Sequence, residues 1–342
     1  MKRRVPILAS MFIALVLAQV VGAQGVRLKF ATLAPDGSFW MEEFHRAAAE
    51  IEERTEGRVS FRFYPGGTMG TDAAVLRKMR IGQLHGGVFL AGSFAGIDPD
   101  LEIYNLPLLF RSYDEVDFVR ERLDGTLVEG LEQKGYVAFG LTETGFTYLM
   151  SAKPTRTFDD LQGRKAWMPQ GDPISLAIVE AAGLSPVPLP ISDVLTGLQT
   201  GLIDTVAAPP VGAIALQWFT KAKYLTNLPI TYITGATVMT EKAFQRLDSR
   251  DQATVREVMG EANKNIDSRS RIDNQKAREA LVKQGVSIVE PTEETRTKWT
   301  EIAAAATEKL LDQREYDPAL LAEVEELLES YRNREAPITP GG

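Results

Sequence analysis

Residues 183–206 read GLSPVPLPISDVLTGLQTGLIDTV. Ser185 to Pro190 alternates proline with aliphatic residues and reads as a turn, Val194 to Thr200 reads as a short helix, and Asp204 opens a strand that runs from Ile203 to Ala208. A helix handed directly to a strand is the repeating unit of an α/β sheet. Just upstream, Phe158 to Gly163 precedes a strand at Lys165 to Met168 and a helix from Pro173 to Ala182, so residues 158–208 form a small βα layer.

The N-terminal part carries the same alternation. Val26 to Ala31 reads as a first strand, and the turn Pro35-Asp36-Gly37-Ser38 can cap a helix whose Trp40, Phe44, Ala47, Ala48 and Ile51 recur at helical spacing. Gly57 stops that helix. Arg58 to Tyr64 alternates as a strand, and the turn PGGTMG (65–70) leads into a helix from Thr71 to Ile81. That turn lacks the GKS/T ending of a phosphate loop and is expected to be a tight connection. Val88 to Leu90 is a third strand, and LPLLF (106–110) is expected to be buried. A helix from Tyr113 to Lys134 precedes a strand at Val137 to Thr142 and another at Phe146 to Ser151, with a crossover between lobes near Glu143. Ile230 to Met239 leads back as a strand. Ser249 and Gln252 form a capping box for a long helix with an apolar stripe at Val255, Val258, Met259, Ala262 and Ile266. With few breakers before Gly285, it spans about 50 Å at 1.5 Å per residue and can brace both lobes. Asp317 and Pro318 open a last amphipathic helix through Tyr331, and the tail 336–342 is expected to be flexible.

At the N-terminus, Lys2, Arg3 and Arg4 precede an apolar run from Ile7 to Val21 that ends in Gly22 and Ala23. A run of about 15 residues falls short of the roughly 20 a spanning helix needs, so 1–23 reads as a secretory signal peptide and the mature chain as periplasmic. The formal charge is −8 and becomes more negative when the leader is removed, which argues against nucleic acid as a partner. The chain has no cysteine and two histidines, His45 and His85, which excludes thiolate chemistry and disfavours a metal site. No cofactor is expected. His45 reads as a surface residue.

On LKF (28–30), YPGGTMGTD (64–72), IGQL (81–84), LPLLF (106–110), DLQGRKAWMP (160–169) and the block at 183–206, the chain resembles the DctP-type substrate-binding proteins of tripartite ATP-independent periplasmic (TRAP) transporters. The resemblance covers nearly the whole mature chain. It implies an α/β, two-lobed periplasmic receptor with a hinge, a long bracing helix and a C-terminal helix, which closes on a small-molecule ligand and delivers it to TRAP membrane permease subunits. Lobe I is expected at 26–143 plus 233–270, and lobe II with the C-terminal helices at 144–232 plus 271–335. The last helix can either pair two copies or pack on its own lobe. The second is favoured, which makes a monomer the expectation.

The family's second-lobe strand reads GLKIRVP, with an arginine that grips a ligand carboxylate. Here the segment is GRKAWMP (163–169), and Trp167 stands at the arginine. Arg164, three residues upstream on a strand, points to the opposite face. Carried across residue by residue, the resemblance assigns Thr147 to a second arginine, Leu33 to a polar position, and Leu90 and Ser93 to an acidic and a basic one. Ile191 stands for an aromatic residue and Ala208, followed by Pro209, for an asparagine. Asp72 keeps its charge. Trp40, Met69, Phe89 and Phe146 are candidates for the cleft mouth, Trp218 for the pocket floor, and Tyr232 for a hydrogen bond near the hinge. Each also has a plain reading as core.

An indole, aliphatic side chains and a proline wall favour apolar ligand surface at roughly 25 cal/mol per Å², so the expected ligand is neutral or largely apolar, lipid-like or aromatic. A lipid carrier with another partner, and a carboxylate receptor with a different anchor, stand beside this. A hydrolase using Asp193 with Asp204, or Asp159 with Asp160, is the enzyme alternative; GxSxG is absent and no histidine lies near a candidate nucleophile, so no enzyme is expected.

Overall fold

A computed structural model describes residues 25–313 and 316–335. The expected leader (1–23) and flexible tail (336–342) lie outside these residues.

In chain order the elements are β1 (Val26–Thr32), α1 (Phe39–Arg54), β2 (Val59–Tyr64), α2 (Asp72–Arg80), β3 (Gly86–Leu90), α3 (Tyr113–Gln133), β4 (Tyr136–Ser151), β5 (Lys165–Pro169), α4 (Pro173–Ala181) and β6 (Ser185–Leu189). They continue as α5 (Val194–Thr200), β7 (Thr205–Ala208), α6 (Pro210–Ala215), β8 (Tyr224–Thr240), α7 (Glu241–Phe244), α8 (Ser249–Lys283), β9 (Ser287–Val289), α9 (Glu293–Gln313) and α10 (Pro318–Glu335). The strands form one mixed sheet in the order β2-β1-β3-β8-β4-β7-β5-β6, with β9 beside β8. At one end β1 pairs in parallel with β2 and β3. At the other, β5 pairs in parallel with β6 and β7. The long antiparallel pair β4 and β8 joins the two ends.

Three apolar layers hold this sheet. Leu28 and Phe30 of β1 pack with Met41, Phe44, Ala47 and Ile51 of α1 and with the α8 stripe. All five stripe residues, Val255 through Ile266, are fully buried. A second layer gathers Val75, Leu76 and Met79 of α2 with α3, α4, α9 and α10. The third surrounds Trp167 and Trp218. LPLLF is embedded as expected, with Leu106 and Phe110 buried and Leu108 and Leu109 partly so.

Four local expectations are corrected. The strand pieces 137–142 and 146–151 are one strand, β4, which keeps pairing with β8 through register shifts, one of them between Glu143 and Gly145. Ser185 to Leu189 is a strand rather than a turn: β6 lies at the sheet edge, where Pro186 and Pro188 leave no ladder donor missing. The cap of α8 is Asp248, whose side chain accepts the Asp251 N–H at 2.8 Å, while Gln252 donates to the Phe244 and Leu247 carbonyls. Ile230 to Met239 is the later part of a longer strand that begins at Tyr224 and ends at Thr240.

Candidate functional site

The carboxyl ends of parallel strands are where open α/β sheets take ligands, and here both parallel sets end beside the β4–β8 pair. Leu90, the last residue of β3, lies opposite Gly235 of β8. Ala208, the last of β7, lies opposite Tyr148 of β4, which in turn faces Pro229 of β8. The two strand ends therefore bracket residues 229–235. Gly235 is required at this junction, because a Cβ there would come within 2.3 Å of the Phe89 carbonyl.

On the β1–β3 side, Leu33, Met69, Asp72 and Phe89 line a shallow concavity with Thr32 and Gly67 that has no room for a water molecule. Ser93 Oγ donates to Asp72 Oδ2 at 2.5 Å, and the Leu90 N–H also bonds this carboxylate. Burial raises the Asp72 pKa, and these two bonds oppose the rise. Leu90 is half-buried and Trp40 packs on the layer beneath α1. Across the gap, a Cβ on Gly92 would lie 3.9 Å from Oδ1 of Asp172, the N-cap of α4, so the segment after β3 already approaches the β5 side.

On that side Trp167 packs edge-on against Trp218, with ring centroids 5.0 Å apart, and its Nε1–H donates to the Leu189 carbonyl at 3.1 Å. Both indoles are buried, at 8% and 2% exposure; Ala208 belongs to the same apolar cluster, Ile191 packs against it, and Pro209 is buried next in sequence. The Arg164 guanidinium bonds the carbonyls of Lys153, Pro154 and Asp160, away from this group.

Phe146, Thr147 and Tyr232 lie on the β4–β8 pair itself. Thr147 Oγ1 is 2.7 Å from Thr231 Oγ1. The Phe146 ring packs on Tyr113 and Tyr232. Tyr232 donates its hydroxyl to Glu143 Oε2 at 2.9 Å, and burial drives its pKa upward. The structure thus brings the candidates together in three groups rather than one continuous wall.

Composition alone gave no hint of the polar clasp at this crossover. The fully buried Glu143 accepts bonds from Arg271 Nε and Nη2, at 2.9 and 2.8 Å to Oε2, and its own N–H donates to Asp267 Oδ1 at 2.6 Å. Asp267 Oδ2 pairs with Arg120 at 2.9 Å. Asn274 Nδ2 donates to the Thr144 carbonyl at 2.9 Å while its Oδ1 accepts the Val211 N–H at 3.1 Å. A traceable signal existed: Ser270 and Asn274 continue the i, i+4 series of Ala262 and Ile266, so the buried stripe of α8 turns polar without ending.

The proposed acid pairs have other employment. Asp160 Oδ2 accepts the N–H groups of Arg156 and Thr157, both at 2.8 Å, which lower its pKa. Asp204 Oδ1 accepts from Lys165 N–H and Thr205 Oγ1, and Asp193 bonds Ser192. Among the described residues no group of three or more acidic, histidine or cysteine side chains is set to hold a metal ion.

Two sets of parallel strands at opposite ends of one mixed sheet, joined by the long antiparallel β4–β8 pair, make an architecture of the two-lobed α/β type. The chain belongs to the DctP family, bacterial extracellular solute-binding protein family 7, whose profile matches residues 30–314. It is 26% identical over 278 residues to the 2,3-diketo-L-gulonate-binding periplasmic protein YiaO of Escherichia coli, covering 79% of this chain and 82% of that one. To the C4-dicarboxylate-binding periplasmic protein DctP of Rhodobacter capsulatus it is 25% identical over 302 residues, 85% of this chain and 88% of that one. Its fold matches a TRAP periplasmic solute-binding protein of Chromohalobacter salexigens with bound D-glucuronate (TM-score 0.80, 19% identity, 89% and 99% of the two chains). It also matches one of Haemophilus influenzae with bound L-gulonate (TM-score 0.81, 18% identity, 88% and 99%). The protein is a TRAP-type solute receptor of a periplasmic family, and that family is not enzymatic.

Proposed function

We propose that this receptor acts as a monomer and closes on a small neutral or largely apolar solute held between lobe I (26–143 with 233–270) and lobe II (144–232 with 271–335), then delivers it to TRAP membrane subunits. The observation that carries the reading is the meeting of both sets of strand ends at residues 229–235. Support for the monomer comes from α10, whose Leu320, Leu321, Val324 and Leu328 are buried on its own chain.

Support for the ligand chemistry comes from charge. Of the side chains assigned to the cleft, Asp72 alone is ionisable to a charged form near neutrality, and burial already disfavours its anion. A ligand carboxylate beside it, without a cation, would cost several kcal/mol. The family's arginine position holds Trp167.

The second reading, an acid receptor with another anchor, is favoured by the sugar acids bound in the solved relatives. Calorimetric titration with D-glucuronate and D-galacturonate separates the two. The neutral-ligand reading expects no saturable heat from either; micromolar or tighter binding of one would replace it with the acid reading.

A further inference from the structure

We propose that Glu143, Arg271 and Asn274 are positioning residues of the hinge, which hold the β4 crossover against α8 and couple it to the lobe II wall that follows Pro209. The inference rests on the closing-cleft reading above. Along α8, Val255, Val258, Met259, Ala262 and Ile266 bury an apolar stripe, whereas Asp267, Arg271 and Asn274, spaced i, i+4 and i+7, present polar groups to the strand at 143–144. Apolar contacts are non-directional and tolerate sliding. Hydrogen bonds are directional, and a buried charge that loses its partner is strongly penalised, so a clasp of this kind admits discrete arrangements rather than a continuum.

Two details locate the clasp on the hinge. Gly145, next to the register shift, has φ of 107°, and a Cβ there would stand 2.7 Å from Asn274 Nδ2, so the helix and the crossover strand fit only without a side chain. Asn274 also divides its amide: Nδ2 holds Thr144 of the crossover, and Oδ1 holds Val211 in the first turn of α6, directly after Ala208 and Pro209. One side chain thus ties the strand that bends to the segment that lines the cleft. Beside it, Arg120 of α3 and Arg271 of α8 border an open groove of about 810 Å³ with Asp117, Glu143 and Asp267, which gives the guanidinium groups space to exchange partners.

The test uses ligand-free protein. The chain has no cysteine, so Glu52→Cys on α1 and Gln199→Cys on α5, both exposed, take spin labels at those two sites alone, and pulsed electron paramagnetic resonance reads the distance between them. Into this parent go Arg271→Lys, which keeps the charge and loses the fork geometry, Asn274→Asp, which keeps the acceptor for Val211 and loses the donor to Thr144, and Val258→Ala, which weakens the apolar stripe of α8. The expected result is a shifted or second distance population in the two clasp variants and the parent distribution in Val258→Ala. Superimposable distributions in all three overturn the proposal, as does a shift in Val258→Ala equal to the others, since general destabilisation would then suffice. If Asn274→Asp does not fold, Arg271→Lys decides alone, because its side chain is 29% exposed at the groove edge. The receptor reading fails on different grounds, by the absence of any ligand, and needs none of these variants.

Discussion

An indole whose ring N–H is already bonded to the Leu189 carbonyl has no polar atom left for a solute, so any contact Trp167 makes with ligand is through its ring surface. Its burial against Trp218 makes it a packed structural element of the β5 side of the sheet. Trp167→Ala is therefore expected to cost about 3–5 kcal/mol in urea unfolding, the range for emptying a large aromatic site; a loss below about 1 kcal/mol would mean the ring is not packed as described. Asp72 makes a pH prediction. Its pKa is raised on folding, so the folded chain holds its proton more tightly than the unfolded chain. The stability it contributes is full in acid and is lost as pH rises through its folded pKa. Asp72→Asn should thus compare best with the parent near neutrality and lose ground as pH falls, read as melting temperatures from pH 4 to 8. A variant whose deficit instead shrinks in acid would carry the opposite sign and refute the raised pKa.

At the scale of elements, the helices and strands that bury apolar faces were legible. The α8 stripe could be named from spacing alone, and all of it is buried. What escaped were elements whose pattern breaks a rule for a local reason. Pro186 and Pro188 look like turn residues unless the strand is known to be an edge. The strand pieces around Glu143 look separate because Gly140 and Gly145 interrupt a strand that β8 keeps paired. Buried Glu143 and Asn274 resemble surface residues in a sequence, since nothing there reveals that Arg271, Tyr232 and Thr144 satisfy them. Glu143→Ala leaves Arg271 facing a lost partner in a half-buried network, and the expected destabilisation is about 3–5 kcal/mol by denaturant titration; near-neutral behaviour would reduce the clasp to a surface feature. The last helix, α10, docks through Leu328, which is 2% exposed, and through Arg332, which bonds Glu115 at 2.7 Å and the Leu109 carbonyl at 2.9 Å. Leu328→Ala is expected to cost about 2–5 kcal/mol in the same assay and to leave the sedimentation coefficient unchanged; dissociation of a dimer would instead identify α10 as an intersubunit element.

For the whole molecule, the family and its receptor role were carried by a linear array of motifs, and the profile match over residues 30–314 agrees with them. Ligand chemistry was less legible, because it depends on which side chains meet across the two lobes. Leu33, Asp72 and Phe89 do meet around one concavity, and Ile191 and Ala208 do share the apolar cluster of Trp167, but Thr147 and Tyr232 are engaged along the paired strands. That position 167 is a tryptophan is visible in sequence; how its ring packs against Trp218 is visible only in the fold. The central claim, a closing receptor whose solute needs no carboxylate, is tested most directly by denaturing protein purified from its native periplasm and identifying the released compound by mass spectrometry. The account predicts a neutral or largely apolar molecule at close to one per chain that rebinds the refolded protein. Release and tight rebinding of a sugar acid or dicarboxylate would contradict it.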